Sequence, residues 1–350
     1  MLFCTKPFEN IEIDTNFDVF TCCPFFNDFY RIGNVLDESL EVIWNGERVQ
    51  KLRQNILNGD FSLCNLKTCV NCKDETIDKS KYSIVCKDYP KMVWLLYDRF
   101  CNANCIMCRD KHILNNKEEV EKFNNIAEKN ILPMLKSAEV VQVNGSGETF
   151  YSEHSLYMIK RIRELYPNIK FSITTNGLLS NKQKIYELGL QGQIATLYIS
   201  VHAATEETYK KITRAGSLKI VLDNVKQLKE MQKNGEIGPM EFVFIVSSLN
   251  YEEIPLFLDI ANEYEIKTIF RDYVKRHDTE MGKEYEKYYI FDEKHKDFKK
   301  FKKVLSDERL IKYKDQYSMS PLLSKIKDDA QKEKPKPFTI KRLFNIKIKH

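Results

Sequence analysis

Apolar and polar residues along the middle of the chain alternate with two different periodicities. Short apolar, β-branched runs, each typical of a buried strand, recur at Met92–Tyr97, Glu139–Asn144, Lys170–Thr175, Thr196–Val201, Glu241–Val246 and Lys267–Arg271. Stretches between them space their apolar residues three or four positions apart, as amphipathic helices do, at Ser155–Tyr166, Glu206–Ile212, Leu218–Met231 and Tyr251–Tyr264. This alternation predicts a parallel sheet whose strands are joined by helical crossovers.

Six strand–helix units fall short of the eight that close a full TIM barrel, and this count fits an α/β fold with a partial (βα)6 TIM-type barrel, which the family resemblance described below also implies. Its functional site should lie at the carboxyl ends of the strands. We expect a cysteine-rich N-terminal domain over residues 1–85, the barrel over 86–275, and a helical, basic extension over 276–350. In the first domain, Leu40–Leu57 predicts one helix that ends at Asn58-Gly59.

Length and composition limit the class of protein. A chain of 350 residues can hold one enzyme-sized domain with smaller additions. No apolar run approaches the ~20 residues that cross a bilayer, and Met1–Asn10 lacks the basic and apolar regions of a signal peptide. We therefore expect a cytoplasmic protein without a transmembrane segment. Ten cysteines in such a chain indicate metal binding or catalysis rather than disulfides, and all ten lie at or before Cys108.

The basic residues are concentrated at the C-terminus. Residues 331–350 hold seven Lys or Arg against the single Glu333. Such a segment is compatible with an acidic peptide, a lipid-linked substrate or strand docking, although a solvated tail is the more common interpretation. Aromatic and basic residues are not interleaved as in RNA-binding proteins, so no nucleic-acid partner is expected. Before the tail, Asp292–Leu305 and Ser320–Asp329 predict exposed helices that cover a barrel edge.

Three cysteines, Cys101, Cys105 and Cys108, follow the first predicted strand in a C-x3-C-x2-C spacing. Three thiolates can hold three irons of a [4Fe–4S] cube and leave the fourth open, whereas most electron-transfer clusters use four cysteines. The alternative is zinc, but zinc ligands usually come as two C-x2-C pairs or with histidines. The nearest histidine, His112, has no partner at ligand spacing. The spacing therefore favours a cluster with one open coordination site.

This spacing, with Asn102 after the first cysteine, resembles the signature of the radical S-adenosylmethionine (SAM) enzymes. The resemblance implies that SAM chelates the open iron through its amino and carboxylate groups, and that an electron from the cluster cleaves SAM to a 5′-deoxyadenosyl radical. It also implies an electron donor such as flavodoxin or ferredoxin. Met107 stands where the family often has an aromatic residue near adenine, and a thioether can pack on the same ring face.

Two polar motifs follow the second and third predicted strands. Gly145, Gly147 and Glu148 resemble the Gly-Gly-Glu motif that grips the amino group of SAM in this family. Glycines allow close backbone approach and a carboxylate accepts hydrogen bonds from an ammonium group, although a plain tight turn explains the run about as well. The family often shows Thr-Asn-Gly after the third strand, so Asn176 is implied to lie close to SAM.

The fourth predicted strand runs into a segment that is similar to a SAM-binding segment of the family. The resemblance assigns Ser200 and Arg214 to the ribose and carboxylate of SAM. For Arg214 the alternative is a surface salt bridge. His202 stands where many peptide-modifying relatives carry aspartate, and either a substrate-facing acid–base role or a structural role fits it. We slightly favour the structural role.

The cysteine-rich N-terminal domain resembles the SPASM domain, an auxiliary iron–sulfur module that usually follows the barrel but here precedes it. The resemblance implies at least one auxiliary [4Fe–4S] cluster, which needs four thiolates. The family pattern favours Cys4, Cys22, Cys69 and Cys72, with Cys64 as a close competitor. A second cluster with one non-cysteine ligand is a further possibility, and a zinc ribbon on Cys69 and Cys72 is the alternative.

Two cysteines are left over for catalysis. In radical peptide epimerases a cysteine donates a hydrogen atom to the substrate radical, and Cys86 and Cys23 are the candidates here. The resemblance to SPASM enzymes implies a peptide or protein substrate, commonly a ribosomally made precursor that is epimerised, crosslinked or oxidised. A second hypothesis is radical modification of a small molecule such as a sugar or amino sugar. A third is a non-catalytic iron–sulfur or zinc protein.

Overall fold

The computed structural model describes residues 2–27, 29–66, 69, 77–276 and 279–332. Its strands are β1 (Asn10–Ile13), β2 (Asp18–Phe20), β3 (Gly33–Asn34), β4 (Met92–Leu95), β5 (Val140–Val143), β6 (Lys170–Thr175), β7 (Ile194–Ser200), β8 (Met240–Val246), β9 (Lys267–Asp272) and β10 (Tyr317–Met319). These described strands form one sheet in the order β10-β9-β8-β7-β6-β5-β4-β1-β2-β3.

The described helices of the N-terminal region and the barrel are α1 (Lys6–Glu9), α2 (Leu40–Trp44), α3 (Glu47–Leu57), α4 (Lys117–Ile126), α5 (Glu153–Leu165), α6 (Lys182–Glu187), α7 (Glu206–Thr213), α8 (Leu218–Lys233) and α9 (Ile254–Glu263). After the barrel come α10 (Glu280–Lys283), α11 (Tyr285–Tyr288), α12 (Phe298–Leu305), α13 (Glu308–Lys312) and α14 (Pro321–Lys332). No helix in the described ranges is long and apolar enough to cross a membrane.

The predicted partial barrel is confirmed. Strands β4 to β9 are adjacent, parallel and in chain order, and each coincides with one of the six apolar runs. Alternate strand residues such as Val93, Phe171 and Phe242 are buried in the main hydrophobic core, which the crossover helices share. Because successive strand residues point to opposite faces, the remaining residues face the other side, which we call the inner face.

The sheet is wider than six strands because both flanking regions add to it. Strand β1 of the N-terminal region pairs in parallel with β4, and β10 of the C-terminal region pairs in parallel with β9. Strand β1 buries Ile11 and Ile13 in the main core, which is the reason it joins the barrel edge. The sheet is therefore continuous across the predicted boundaries at residues 85 and 275, and β1 covers an edge that would otherwise be open.

Two helix predictions need correction. The single helix expected over Leu40–Leu57 is wrong, because α2 and α3 are separated at Asn45 and Gly46. The Asn45 side chain bonds the backbone of Cys86, with its amide donating to the carbonyl at 2.9 Å. The helices near the C-terminus lie at the barrel edge but are not simply exposed. Helices α12, α13 and α14 each bury apolar side chains in the main core, as Phe301 of α12 does.

Candidate functional site

The three cysteines of the C-x3-C-x2-C run lie in the loop that follows β4. At its start, the Cys101 N–H donates to the Ile113 carbonyl at 2.8 Å, which closes the loop on itself. At its end, the N–H groups of Cys108 and Arg109 both donate to the Cys105 carbonyl, at 2.9 and 3.2 Å. This turn brings the second and third cysteines to the same side of the loop.

Burial and mutual repulsion act on these thiols. Burial raises the pKa of Cys101 to about 11, and the neighbouring Cys108 contributes to the increase. Burial raises the pKa of Cys105 further, with smaller contributions from the other two thiols. Bound metal would stabilise the thiolates that this environment disfavours.

The donor set of this loop consists of three thiolates, the ligand type that holds iron–sulfur clusters. A cube presents a separate iron to each thiolate, so its ligands surround the cluster instead of converging on one point. That Cys101, Cys105 and Cys108 are the ligands stays a prediction.

Arg109 ties this loop to the loop after β5, and sequence reasoning missed it. Its guanidinium, in a residue that is 3% exposed, donates to the Arg99 and Ser146 carbonyls, each at 2.7 Å. Its second terminal nitrogen also lies 3.4 Å from the Cys108 sulfur. The only sequence signal was an arginine directly after the third cysteine.

The glycine-containing loop after β5 is held by one side chain. Asn144 Oδ1 accepts the N–H groups of Gly145, Ser146 and Gly147 at 2.6, 3.0 and 2.7 Å. A Cβ on Gly147 would lie 2.4 Å from the Phe100 carbonyl oxygen. Gly147 is therefore required by close approach to the cysteine loop, in addition to any approach to a ligand.

Glu148 and Asn176 meet beside the cysteine loop. Glu148 is 1% exposed and accepts hydrogen bonds from the Thr175 hydroxyl and the Asn176 N–H, both at 2.6 Å. Burial raises the pKa of Glu148 to about 7. The Asn176 amide donates to the Asn102 side-chain oxygen at 2.8 Å and lies 4.0 Å from the Cys101 sulfur. Thus the ends of β5 and β6 converge on the first cysteine.

The remaining predicted SAM contacts occupy different settings. Ser200 is the last residue of β7 and is half-buried. Arg214 ends α7 with a φ of 55° and forms an ion pair with Glu280 at 2.7 Å, which is the surface salt bridge considered above. Met107 is buried in a small apolar cluster that also contains Ile212 and Met281.

His202 has the surroundings of a structural histidine. Its Nδ1 accepts the Ile245 N–H at 3.1 Å, and burial lowers the pKa of His202 to about 4. The ring is therefore neutral near pH 7. A second residue, Tyr209 of α7, was missed by sequence reasoning. Burial raises the pKa of Tyr209, and the nearby Cys105 thiol adds to this increase.

Four cysteines of the N-terminal region lie close together. Burial raises the pKa of Cys22, and the next contributions come from Cys4, Cys64 and Cys69. Burial also raises the pKa of Cys64 to about 12, with contributions from Cys4 and Cys69. Cys64, the close competitor in the sequence, is thus a neighbour of three predicted ligands. The predicted ligand Cys72 lies outside the described residues, as does the basic tail beyond Lys332.

The two candidate catalytic thiols have different positions. Cys86 contacts the N-terminal region, where its N–H donates to Asn45 Oδ1 at 3.0 Å and its sulfur lies 3.8 Å from the Ser83 carbonyl oxygen. Burial raises the pKa of Cys86. Cys23 directly follows Cys22 and precedes a short 3-10 helix. A catalytic role for either thiol stays a prediction.

Comparison with protein families finds two matching models. Residues 96–259 match the radical SAM superfamily, and residues 4–73 match the SPASM iron–sulfur cluster-binding domain. These matches confirm the predicted combination and its order, with the SPASM domain first. Together the two domains imply iron–sulfur clusters and SAM binding.

The names of similar curated proteins refer to GTP and not to a peptide. A probable GTP 3′,8-cyclase of Saccharolobus islandicus (strain Y.N.15.51 / Yellowstone #2) is 27% identical over 52% of this chain and 56% of its own length. One of Thermoplasma volcanium is 28% identical over 54% of this chain and 56% of its own length. The chain therefore spans just over half the length of these relatives.

Among solved structures, SuiB of Streptococcus suis is similar, with a TM-score of 0.42 and 16% identity over 66% of this chain and 49% of its own. SuiB bound to S-adenosylmethionine has a TM-score of 0.40 and 15% identity, over 91% of this chain and 71% of its own.

Proposed function

We propose, from the premise that the chain carries a radical SAM domain preceded by a SPASM domain, that it reductively cleaves SAM and abstracts a hydrogen atom from a substrate. The observation that carries the proposal is the convergence of Glu148, Asn176 and the 101–108 loop at the carboxyl edge of the barrel. Three strand ends supply this site, as in barrel enzymes generally.

Cys101, Cys105 and Cys108 are the proposed ligands of the barrel cluster. When bound, this cluster supplies the electron that splits SAM into methionine and a 5′-deoxyadenosyl radical, which then removes a hydrogen atom from the substrate. Arg109 keeps the cysteine loop in register with the loop at Ser146. The same guanidinium donates toward the Cys108 sulfur and so connects both loops to the third cysteine.

Glu148 is the proposed acceptor for the ammonium group of SAM. Its carboxylate accepts hydrogen bonds from Thr175 and Asn176, which fix its orientation. A carboxylate has about four lone-pair sites, so it has capacity for a further donor. An ammonium group beside it would favour the ionised form that burial disfavours. Gly145 and Gly147 have no side chains, so the backbone beside Glu148 can approach a ligand closely. Asn176 links this site to the cysteine loop.

Ser200, Arg214 and Met107 are proposed to contact the ribose, the carboxylate and the adenine of SAM. For Arg214 this role requires exchange of its ion pair with Glu280 for the SAM carboxylate. Both partners are partly exposed, and exposed ion pairs contribute only about 0–1 kcal/mol to stability. Breaking this ion pair therefore costs little free energy.

The substrate that we propose is a peptide or protein, as in the maturation of a ribosomally made peptide. Its support is the SPASM domain. The proposed ligands of its auxiliary [4Fe–4S] cluster are Cys4, Cys22, Cys69 and Cys72, with Cys64 as the competing fourth ligand. A small-molecule substrate is the second candidate. The names of the curated relatives favour it, because GTP is a small molecule. Either substrate needs an electron donor such as flavodoxin or ferredoxin.

The test is anaerobic reconstitution with iron and sulfide, followed by incubation with SAM and dithionite. We expect 5′-deoxyadenosine from the wild type and none from Cys105→Ala. Since Cys105 lies outside the N-terminal group, the variant should keep the auxiliary cluster and lose about four irons per chain. Cys64→Ala should show the converse loss of auxiliary iron. Absence of 5′-deoxyadenosine from fully loaded wild type would favour a non-catalytic iron–sulfur protein.

A further inference from the structure

The inner face of the sheet carries a row of polar and amphipathic side chains that begins outside the radical SAM domain. In the parallel pairing of β1 with β4, Glu12 is the register partner of Trp94. Register partners on neighbouring strands point to the same face and lie about 4.8 Å apart. The row continues through β5, β6 and β7 and consists of Glu12, Trp94, Gln142, Ser172 and Thr196.

The first member of this row is Glu12, a largely buried residue. Glu12 is 7% exposed, yet its carboxylate has neither a hydrogen bond nor an ion pair within the described ranges. Burial raises the pKa of Glu12 to about 7, Asp14 adds repulsion, and Lys6 opposes the increase only in part. A buried, unpartnered carboxyl group is unfavourable compared with an apolar side chain of similar size.

The neighbours of Glu12 suit a ligand with a positive charge. Phe20 lies beside it on β2 and Trp94 on β4, so aromatic side chains flank it on both sides. Aromatic ring faces attract cations. The amide of Gln142 and the hydroxyl of Ser172 provide neutral hydrogen-bonding groups further along the row. Glu12 also contributes to the raised pKa of the Cys22 thiol, after burial and the neighbouring Cys4, Cys64 and Cys69.

We propose that Glu12 binds a primary ammonium group of the substrate on the inner face of the sheet, beside Trp94. The inference rests on the proposed function, because it assigns a specificity residue to the same barrel. It adds that the substrate carries a basic nitrogen, and that strand β1, outside the radical SAM domain, completes the binding site. Because β1 precedes the barrel in the chain, the N-terminal region contributes to the substrate site as well as to cluster binding.

The experiment uses the two tryptophans of the chain, Trp44 and Trp94, as reporters. Reconstituted protein containing 5-fluorotryptophan should give two fluorine resonances, and Trp94→Phe assigns the one on the inner face. The protein is titrated with n-hexylamine, a cation at pH 7, and in a parallel experiment with 1-hexanol, a neutral probe of the same length. We expect the amine to shift the Trp94 resonance in a saturable manner, and the alcohol to leave it unchanged.

Glu12→Gln should weaken amine binding about tenfold or more, the loss expected when a charge-assisted hydrogen bond is removed. The matched control is Glu241→Gln, which removes a carboxylate from β8 and should not change the affinity. Three results would each overturn the proposal. They are equal amine affinity of wild type and Glu12→Gln, equal shifts of the Trp94 resonance with 1-hexanol and n-hexylamine, and no saturable shift in the wild type.

Two further measurements separate this proposal from its alternatives. Iron content and the electron paramagnetic resonance spectrum should be the same in Glu12→Gln and wild type. A loss of auxiliary iron would instead identify Glu12 as a cluster ligand and overturn the proposal. Formation of 5′-deoxyadenosine without substrate is measured in the wild type. If the wild type forms none while the amine effect persists, the proposed function fails and the assignment of Glu12 stands.

Discussion

Arg109 donates through its guanidinium to the Ser146 carbonyl at 2.7 Å and joins two loops that are 37 residues apart in the chain. One loop carries the three cysteines, and the other carries the glycines that lead to Glu148. The contact sets the distance between the proposed cluster ligands and the proposed SAM acceptor. Integrity of the site should therefore depend on this side chain, although it belongs to no predicted ligand set.

Arg109→Ala should lower the free energy of unfolding by about 2 kcal/mol or more, because it leaves two carbonyl acceptors without their buried donor. Arg109→Lys should recover only part of this loss, since an ammonium group lacks the planar fork that reaches both loops. Urea titration under anaerobic conditions measures both changes. Arg31→Ala, which removes an exposed ion pair with Asp18, should cost less than about 1 kcal/mol. Equal effects of Arg109→Ala and Arg31→Ala would contradict this role.

Gly147→Ala should be more destabilising than Gly145→Ala. The new Cβ on Gly147 would meet the Phe100 carbonyl oxygen at 2.4 Å, and backbone there cannot move without displacing the cysteine loop. On Gly145 it would meet the flexible end of Leu96 at 2.7 Å. We expect about 1–3 kcal/mol for the first substitution and less for the second, measured by thermal unfolding. Iron content should fall only in Gly147→Ala, and the reverse order would exclude the close approach as the cause.

Glu280→Gln and Arg214→Ala should change SAM affinity in opposite directions. If Arg214 binds the carboxylate of SAM, removal of its competing partner Glu280 should tighten binding up to about fivefold, the upper range for an exposed ion pair. Arg214→Ala should weaken binding about tenfold. Equilibrium dialysis with labelled SAM measures both. Unchanged affinity in both variants would mean that Arg214 serves only as a surface salt bridge.

Stability should decrease as the pH falls below about 6.5, partly because of two buried histidines. Burial lowers the pKa of His154 to about 3 and of His202 to about 4, so both are neutral in the folded chain. The unfolded chain binds more protons below pH ~6.5, so each histidine contributes fully above that pH and progressively less below it. The limiting slope is about 1.4 kcal/mol per pH unit for each histidine.

The measurement is the urea midpoint between pH 8 and pH 5 for wild type and His154→Gln. The variant should show a shallower dependence, whereas His112→Gln, at an exposed position, should follow the wild type. His154 is hydrogen-bonded to the Tyr97 hydroxyl at 2.8 Å and to Asn124 at 2.7 Å, so the variant will also be less stable at pH 8. Identical slopes in the three proteins would contradict the assignment.

Local periodicity in the sequence was sufficient to determine six barrel strands and the loop positions of Cys101, Glu148 and Asn176. Strand and helix periods depend on neighbours within a few residues, so the hydrophobic pattern contains them. The same local pattern predicted one helix over Leu40–Leu57. It failed there because Asn45 bonds Cys86, 41 residues further along the chain.

Only the tertiary structure decided which distant side chains meet. It placed β1 against β4, brought Cys64 beside Cys22, directed Arg109 to Ser146, and buried Glu12 on the inner face next to Trp94. Each of these relationships joins residues that are far apart in the chain. Their pairing depends on how the sheet and its covering helices exclude water together, and no local pattern of polar and apolar residues specifies that arrangement.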